Sequence, residues 1–244
     1  MASPIPVLYS DERLIAIDKP AGMLSIPDRY DPDAPVVAAA LRKDWGKLLV
    51  CHRIDKDTSG VLVFARDEET HKALNTAFGT GAVRKTYRAL VRGLPSWDEE
   101  SCDLPLLADG DRLHRTIIDA RRGKISRTAF VVLERFQSRG TFAGAALVEA
   151  RPETGRTHQI RVHLAALGFP CLCDPLYGDG QPLLLSKFKR KWKGDEFEER
   201  PLLARAALHA LSVEFAHPAS GEALRIEAAL HKDMRAAIAQ LGKL

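Results

Sequence analysis

Two short apolar runs, Leu48-Leu49-Val50 and Val61-Leu62-Val63-Phe64, bracket the polar stretch His52-Arg53-Ile54-Asp55-Lys56-Asp57-Thr58-Ser59-Gly60. Runs of that kind read as buried strands, so the charged segment between them is a loop carried on a sheet. Such loops are where chemistry tends to sit. Asp, Thr, Ser and Gly also favour turns for local hydrogen-bonding reasons, so a plain hairpin connection stands equal to a functional loop at this point.

A chain of 244 residues is long enough to bury a substantial core, and a formal net charge of +4 permits a polyanionic partner without demanding one. Cys51, Cys102, Cys171 and Cys173 contain no repeated Cys-x-x-Cys of a structural zinc site, and free thiols in a reducing compartment are the simplest account. No stretch approaches the length needed to span a bilayer, and the first residues lack a basic region followed by an apolar core. The expected location is therefore the cytoplasm.

Along the chain, Val7-Leu8-Tyr9, a turn at Ser10-Asp11-Glu12, and Leu14 to Ile17 read as a hairpin. Ala34 to Leu41 suits a helix capped by Asp33 with Pro35 in its first turn. After the strand Val61 to Ala65, Asp67 is placed to cap a helix whose apolar stripe is Ala73, Leu74, Ala77 and Phe78, stopped by Gly79 and Gly81. Val83 to Val91 alternates as a strand, with Tyr87, Ala89 and Val91 on one face and Thr86, Arg88 and Leu90 on the other. Tyr87 is thus held by a sheet, which is also a common use of tyrosine with no function attached. Ser96 to Lys124 reads as a polar surface excursion ending in Arg121, Arg122 and Lys124. Strands resume at Thr128 to Phe136 and Phe142 to Ala150. Two further strands, Ala207 to Phe215 and Ala223 to Ala228, and an amphipathic helix, Lys232 to Leu241, close the chain.

The second informative stretch is Arg151-Pro152-Glu153-Thr154-Gly155-Arg156-Thr157-His158-Gln159-Ile160-Arg161-Val162-His163. Thr157 can cap a helix ended by Gly168, with Ile160, Leu164 and Leu167 buried and with His158 and Arg161 on a neighbouring face. The five-residue spacing of His158 and His163 sets them well apart around the axis, unlike the four-residue spacing of helical zinc pairs. No serine or cysteine is coupled to a base, and no glycine-rich phosphate cradle follows a strand. What remains is one loop carboxylate, one sheet tyrosine and one helix arginine: Asp55, Tyr87 and Arg161. An arginine beside Asp55 would keep that carboxylate ionised and oriented.

These residues lie in three segments, His52-Arg53-Ile54-Asp55-x-x-Thr58-Ser59-Gly60, Lys85-Thr86-Tyr87-Arg88-Ala89-Leu90-Val91, and Thr154 to His163. Together they resemble the three motifs of RluA-type pseudouridine synthases. Asp18-Lys19-Pro20-Ala21-Gly22 and Asp174-Pro175-Leu176-Tyr177-Gly178 fit as well, so the resemblance runs through most of the chain in the family's order. Ile54 stands where leucine is commoner, a conservative change.

The resemblance implies an isomerase that turns uridine in rRNA or tRNA into pseudouridine, with no cofactor and no metal. It implies an α/β (α+β) fold: a long, mixed, mostly antiparallel, curved sheet flanked by helices around a central active-site cleft. By resemblance, Asp55 is the catalytic carboxylate, attacking the anomeric carbon or acting as a base on the sugar. Tyr87 packs against the detached uracil and helps remove the proton from carbon 5, Arg161 pairs with Asp55, and Arg53 enters the RNA stack vacated by the flipped uridine. His52, Thr58, Arg156 and His158 join Arg53 as expected RNA contacts. The expected organisation is a single catalytic domain over 1–244, acting as a monomer without an S4-type RNA-binding domain, and with a charged surface insertion at 181–200. In that insertion Lys187, Lys189 and Lys191 are the candidates for phosphate contact, although the adjoining acidic residues favour a self-neutralising loop.

Two other readings compete. A glycoside hydrolase would use Asp55 with Glu153. A non-catalytic RNA-binding module would fit the basic balance but gives no reason for an acid, Asp55, beside Arg53.

Overall fold

The computed structural model describes residues 5–28, 33–190, 192–195 and 197–244. Its fold is α/β, as expected, with mixed and mostly antiparallel strands and, among the described residues, four α-helices. The chain divides into two compact units, one of residues up to Thr86 together with His209–Ala229, the other of Tyr87–Leu208 with Leu230–Leu244.

In the first unit, β1 (Val7–Ser10) and β2 (Leu14–Lys19) form the predicted hairpin. β2 lies antiparallel along β4 (Ser59–Ala65), whose other edge is shared by β3 (Leu49–Val50) and, in parallel, by β11 (Leu208–Ala216), itself paired with β12 (Ala223–Glu227). Every residue of β4 is buried because both faces are covered. Val61, Val63 and Ala65 pack with Leu14, Ala16 and with Leu74 of α2 (Glu68–Thr80). Leu62 and Phe64 pack on the opposite face with Ile15, Ile17 and with Val37 and Leu41 of α1 (Val37–Trp45).

Asp67 caps α2 as predicted, its side chain accepting the Thr70 N–H at 2.8 Å. Gly81 ends the helix in the left-handed region at φ 79°, whereas Gly79 lies within it. α1 begins three residues later than the sequence suggests, without a side-chain cap. The reason is tertiary: Leu24 donates its N–H to the Pro35 carbonyl and accepts the Val37 N–H, both at 2.9 Å, which draws Pro35 and Val36 into an extended bridge.

In the second unit, β5 (Arg84–Arg92, from Tyr87 on), β10 (Ala145–Pro152), β9 (Thr128–Phe136) and β6 (Glu99–Cys102) pair antiparallel in that order. The alternation read in β5 holds: Ala89 and Val91 face a core shared with Ile160 and Leu164 of α3 (Gln159–Ala166), with Tyr87 at its margin. Leu90 faces the opposite core, closed by Met234, Ala237 and Leu241 of α4 (Lys232–Leu241). The excursion after β5 is more ordered than its polarity suggests. β6 buries only Cys102, so it shows no apolar alternation, and its pairing with β9 defines it as a strand. β7 (Leu106–Leu107) and β8 (Ile117–Ile118) form a separate two-stranded pair.

Candidate active site

Asp55 lies in the loop that connects β3 to β4, and the backbone on both sides of it is pinned. The Ser25 hydroxyl, buried at 3% exposure, donates to the Ile54 carbonyl at 2.7 Å and accepts the Ile54 N–H at 3.1 Å. On the other side the Lys56 carbonyl accepts from Lys19 Nζ at 3.0 Å and from the Gly22 N–H at 2.9 Å. Lys19 is fully buried and its ammonium also donates to the Pro20 and Met23 carbonyls, at 2.9 and 2.7 Å. A buried charge is tolerated when it is fully hydrogen-bonded, and here it ties the Lys19 to Met23 turn to the loop. Within the loop, Thr58 donates its N–H to the Asp55 carbonyl at 3.1 Å. Asp55 itself is half-buried and Arg53 beside it is exposed.

His52 and Thr58, expected as RNA contacts, both have intramolecular surroundings: His52 is half-buried against the sheet and Thr58 is buried. The His52 Nε2 accepts the Val63 N–H at 3.0 Å, so Nδ1 carries the proton, and the ring stacks on Phe78 at 4.3 Å. Burial, aided by the Lys85 ammonium, pushes its pKa down to about 3. Thr58 is 2% exposed at the mouth of β4. The His52 bond to Val63 fastens the loop to β4.

In the second unit the stretch around Arg161 is fastened just as closely. The N-cap of α3 is His158, not Thr157, in the left-handed region at φ 54° and with no side-chain cap. Gln159 takes over the fastening: its Oε1 accepts the Arg156 N–H at 3.0 Å and the Thr154 hydroxyl at 2.7 Å. Its Nε2 donates to the Arg127 carbonyl and to Thr128 Oγ1, both at 2.9 Å. Arg161 is 5% exposed, and its Nε and Nη2 donate to Asp174 Oδ2 and Oδ1 at 2.7 and 2.8 Å. Burial alone would raise the Asp174 pKa, but the Arg161 hydrogen bonds and charge and the N–H groups of Leu176 and Tyr177 hold it below the usual carboxylate range.

Gln159 and Asp174 are the residues that sequence reasoning left without a role. Their signal was present, since both sit in the motifs quoted above, but neither spacing nor residue type names a partner 13 or 32 positions away.

Tyr87 is half-buried on β5, opposite Ala150 of β10. Arg156, Lys187 and Lys189 are exposed, His158 is half-buried, and Lys191 lies outside the described residues. Phe188, between the two lysines, is 3% exposed and packs on Phe142, so it presents no ring for base stacking. Glu153, the second carboxylate of the hydrolase reading, is a surface residue paired with Arg127 at 3.6 Å. His163 is buried, its Nε2 donating to the Leu104 carbonyl and its Nδ1 bonded to Thr128, both at 3.0 Å. Among the described residues no group of three His, Cys, Asp or Glu side chains gathers as a metal site, and no helix is long and apolar enough to cross a membrane.

Comparison with known proteins accords with the resemblance. Residues 13–166 match the family described as RNA pseudouridylate synthase. The ribosomal large subunit pseudouridine synthase D of Zymomonas mobilis is 34% identical over 242 residues, 95% of this chain and 71% of that protein. The dual-specificity RNA pseudouridine synthase RluA of Vibrio vulnificus is 32% identical over 214 residues, 88% of this chain and 78% of that protein. The solved structure of human RNA pseudouridylate synthase domain containing 1 superposes with a TM-score of 0.70 at 25% identity, covering 93% of this chain and 84% of that one. The chain thus belongs to the RNA pseudouridylate synthase family, isomerases that convert uridine in RNA to pseudouridine.

Proposed function

We propose that the chain isomerises uridines of ribosomal or transfer RNA with Asp55 as its catalytic carboxylate. The observation that carries this reading is the clamp on Asp55: Ser25 holds the residue before it, Lys19 and Gly22 the residue after it. A carboxylate that must meet one sugar carbon gains from such preorganisation, because small misplacements are costly in rate. The ribosomal and dual-specificity names of the relatives support the RNA class.

In the reaction the bond from C1′ to N1 of uracil breaks, the ring turns, and a bond from C1′ to C5 forms. The C5 proton leaves and N1 regains one, so the overall change is an isomerisation with no electrons gained or lost. Asp55 attacks C1′ or removes a sugar proton, Tyr87 packs on the free ring and assists removal of the C5 proton, and Arg161 is the cation of the site. Exposed Arg53 is proposed to fill the stack left by the flipped uridine, with Arg156, His158, Lys187 and Lys189 as further RNA contacts. The protein is proposed to act as a monomer in the cytoplasm, where its four buried free thiols stay reduced.

The test is release of tritium from RNA labelled at C5 of uracil, comparing the natural protein with Asp55→Ala on large-subunit ribosomal RNA and on transfer RNA. Release by the natural protein and none by the variant is expected. Release by both would remove Asp55 from the mechanism, and release from neither RNA would overturn the substrate class.

A further inference from the structure

Asp174 holds the Nε edge of the Arg161 guanidinium, whose carbon lies over the ring of Tyr177, 5.2 Å from the ring centre. A bidentate pair fixes a guanidinium in one plane but leaves it free to rock about that edge. An aromatic ring beneath the cation opposes the rocking. Tyr177 can do so only if it is held in turn, and it is held at three points. Its N–H donates to Asp174 Oδ1 at 3.2 Å, its hydroxyl accepts the Thr116 N–H at 3.0 Å, and the same hydroxyl lies 2.9 Å from His158 Nδ1. The His158 ring meets the tyrosine edge-on, at 74°.

The Thr116 contact comes from the segment that joins β7 to β8. That segment grips the Tyr177 loop a second time, through Arg115 Nη1, which donates to the Leu176 carbonyl at 3.1 Å. Arg115 is itself fixed by Asp111, which accepts its Nε at 2.8 Å and its N–H at 3.0 Å. Thr116 is 2% exposed and its hydroxyl has no partner, so the main chain alone makes the contact with Tyr177.

We propose that Tyr177 is a positioning residue for Arg161, and that the 111–116 segment is the element that keeps Tyr177 in place. The inference rests on Arg161 belonging to the reacting site, as proposed above. Tyr177 performs no proton transfer in this account. It acts through the orientation of the guanidinium, so its loss is felt in turnover rather than in RNA affinity.

The experiment uses the full chain and the variants Tyr177→Phe, Tyr177→Leu and Arg115→Met. Steady-state tritium release is measured alongside hydrogen exchange at the Arg161 side-chain Nε, followed by nitrogen-15 NMR and assigned with Arg161→Lys. Tyr177→Phe, which keeps the ring but loses both hydroxyl bonds, is expected to lower kcat by about tenfold with KM changed by less than about twofold. Arg161 Nε exchange should accelerate in parallel. Tyr177→Leu should lose more, and Arg115→Met, which spares the tyrosine, should shift both readouts in the same direction by less. Natural kcat with unaltered exchange in Tyr177→Phe would overturn the proposal, as would a lowered melting temperature as its sole effect. Full turnover in Asp55→Ala or Arg161→Lys would instead withdraw the catalytic reading, leaving the exchange measurement to judge Tyr177's hold on Arg161.

Discussion

Arg161 and Asp174 form a side-on, two-point ion pair in which the side chains are 6% and 0% exposed. Both charges have left water, so removing one strands the other, and breaking a buried pair from one side costs about 3–5 kcal/mol. Asp174→Ala is expected to lose about that much in urea unfolding. The folded Asp174 pKa lies below its ordinary 3.8, so its contribution is complete above that value and disappears as pH falls through the folded pKa. The variant should therefore show a flatter stability curve at the acid end than the natural protein.

Lys19 gives a second test of the loop clamp. Replacing it by methionine keeps the stem volume but leaves the Pro20, Met23 and Lys56 carbonyls without the ammonium. The expected loss is about 2–3 kcal/mol, from charged hydrogen bonds removed and buried acceptors left behind. Turnover should fall with KM for RNA retained, because the Asp55 loop loosens while exposed Arg53 remains. A natural kcat in Lys19→Met would show that the clamp is dispensable.

Gly60 and Gly79 should respond to alanine in opposite directions. Gly60 has φ 111°, and a Cβ there would sit 2.1 Å from the Ala210 carbonyl oxygen, within the β4–β11 pairing. Gly60→Ala must push β11 aside and is expected to unfold at markedly lower denaturant. Gly79 lies in α2 with nothing within 4 Å of an added Cβ. Gly79→Ala should therefore stabilise by about 0.5–1 kcal/mol, the helix preference of alanine over glycine.

His52 imposes a pH dependence of its own. Its folded pKa is about 3 against an ordinary 6.5, so the folded state binds fewer protons between those values. Stability is full above about 6.5 and declines as pH falls toward 3. Protonation would also cost Val63 N–H its acceptor. A His52→Gln variant should lose this part of the decline, measured as unfolding free energy at pH 7 and pH 5.

The basic insertion is tested by salt. If Lys187, Lys189 and Lys193, a third exposed lysine of the same segment, contact phosphates, replacing all three with glutamine should weaken RNA binding. It should also reduce the slope of log affinity against log salt by about 2, at roughly 0.7 per contact for single strands. An unchanged slope would return the segment to the self-neutralising reading.

Much of this protein was legible because the signals involved are local. The closing elements β11, β12 and α4 were read almost to the residue, since alternation and a helical stripe persist there without interruption. Asp67 as a cap was legible for the same reason, its partner Thr70 being three positions away. β6 was not, because a polar edge strand differs from a loop only by the neighbour that pairs with it.

The sequence by itself determined the family, the pattern of strands and helices, and the loop that carries Asp55, because motif identity and periodicity need no partner to be seen. Only the tertiary structure decided that Asp174 holds Arg161, that Lys19 and Ser25 fix the loop, and that His52 accepts the Val63 N–H. Those choices depend on which buried polar groups meet once the chain has folded. Burial obliges each such group to find a donor or acceptor, but sequence separation says nothing of which one it finds.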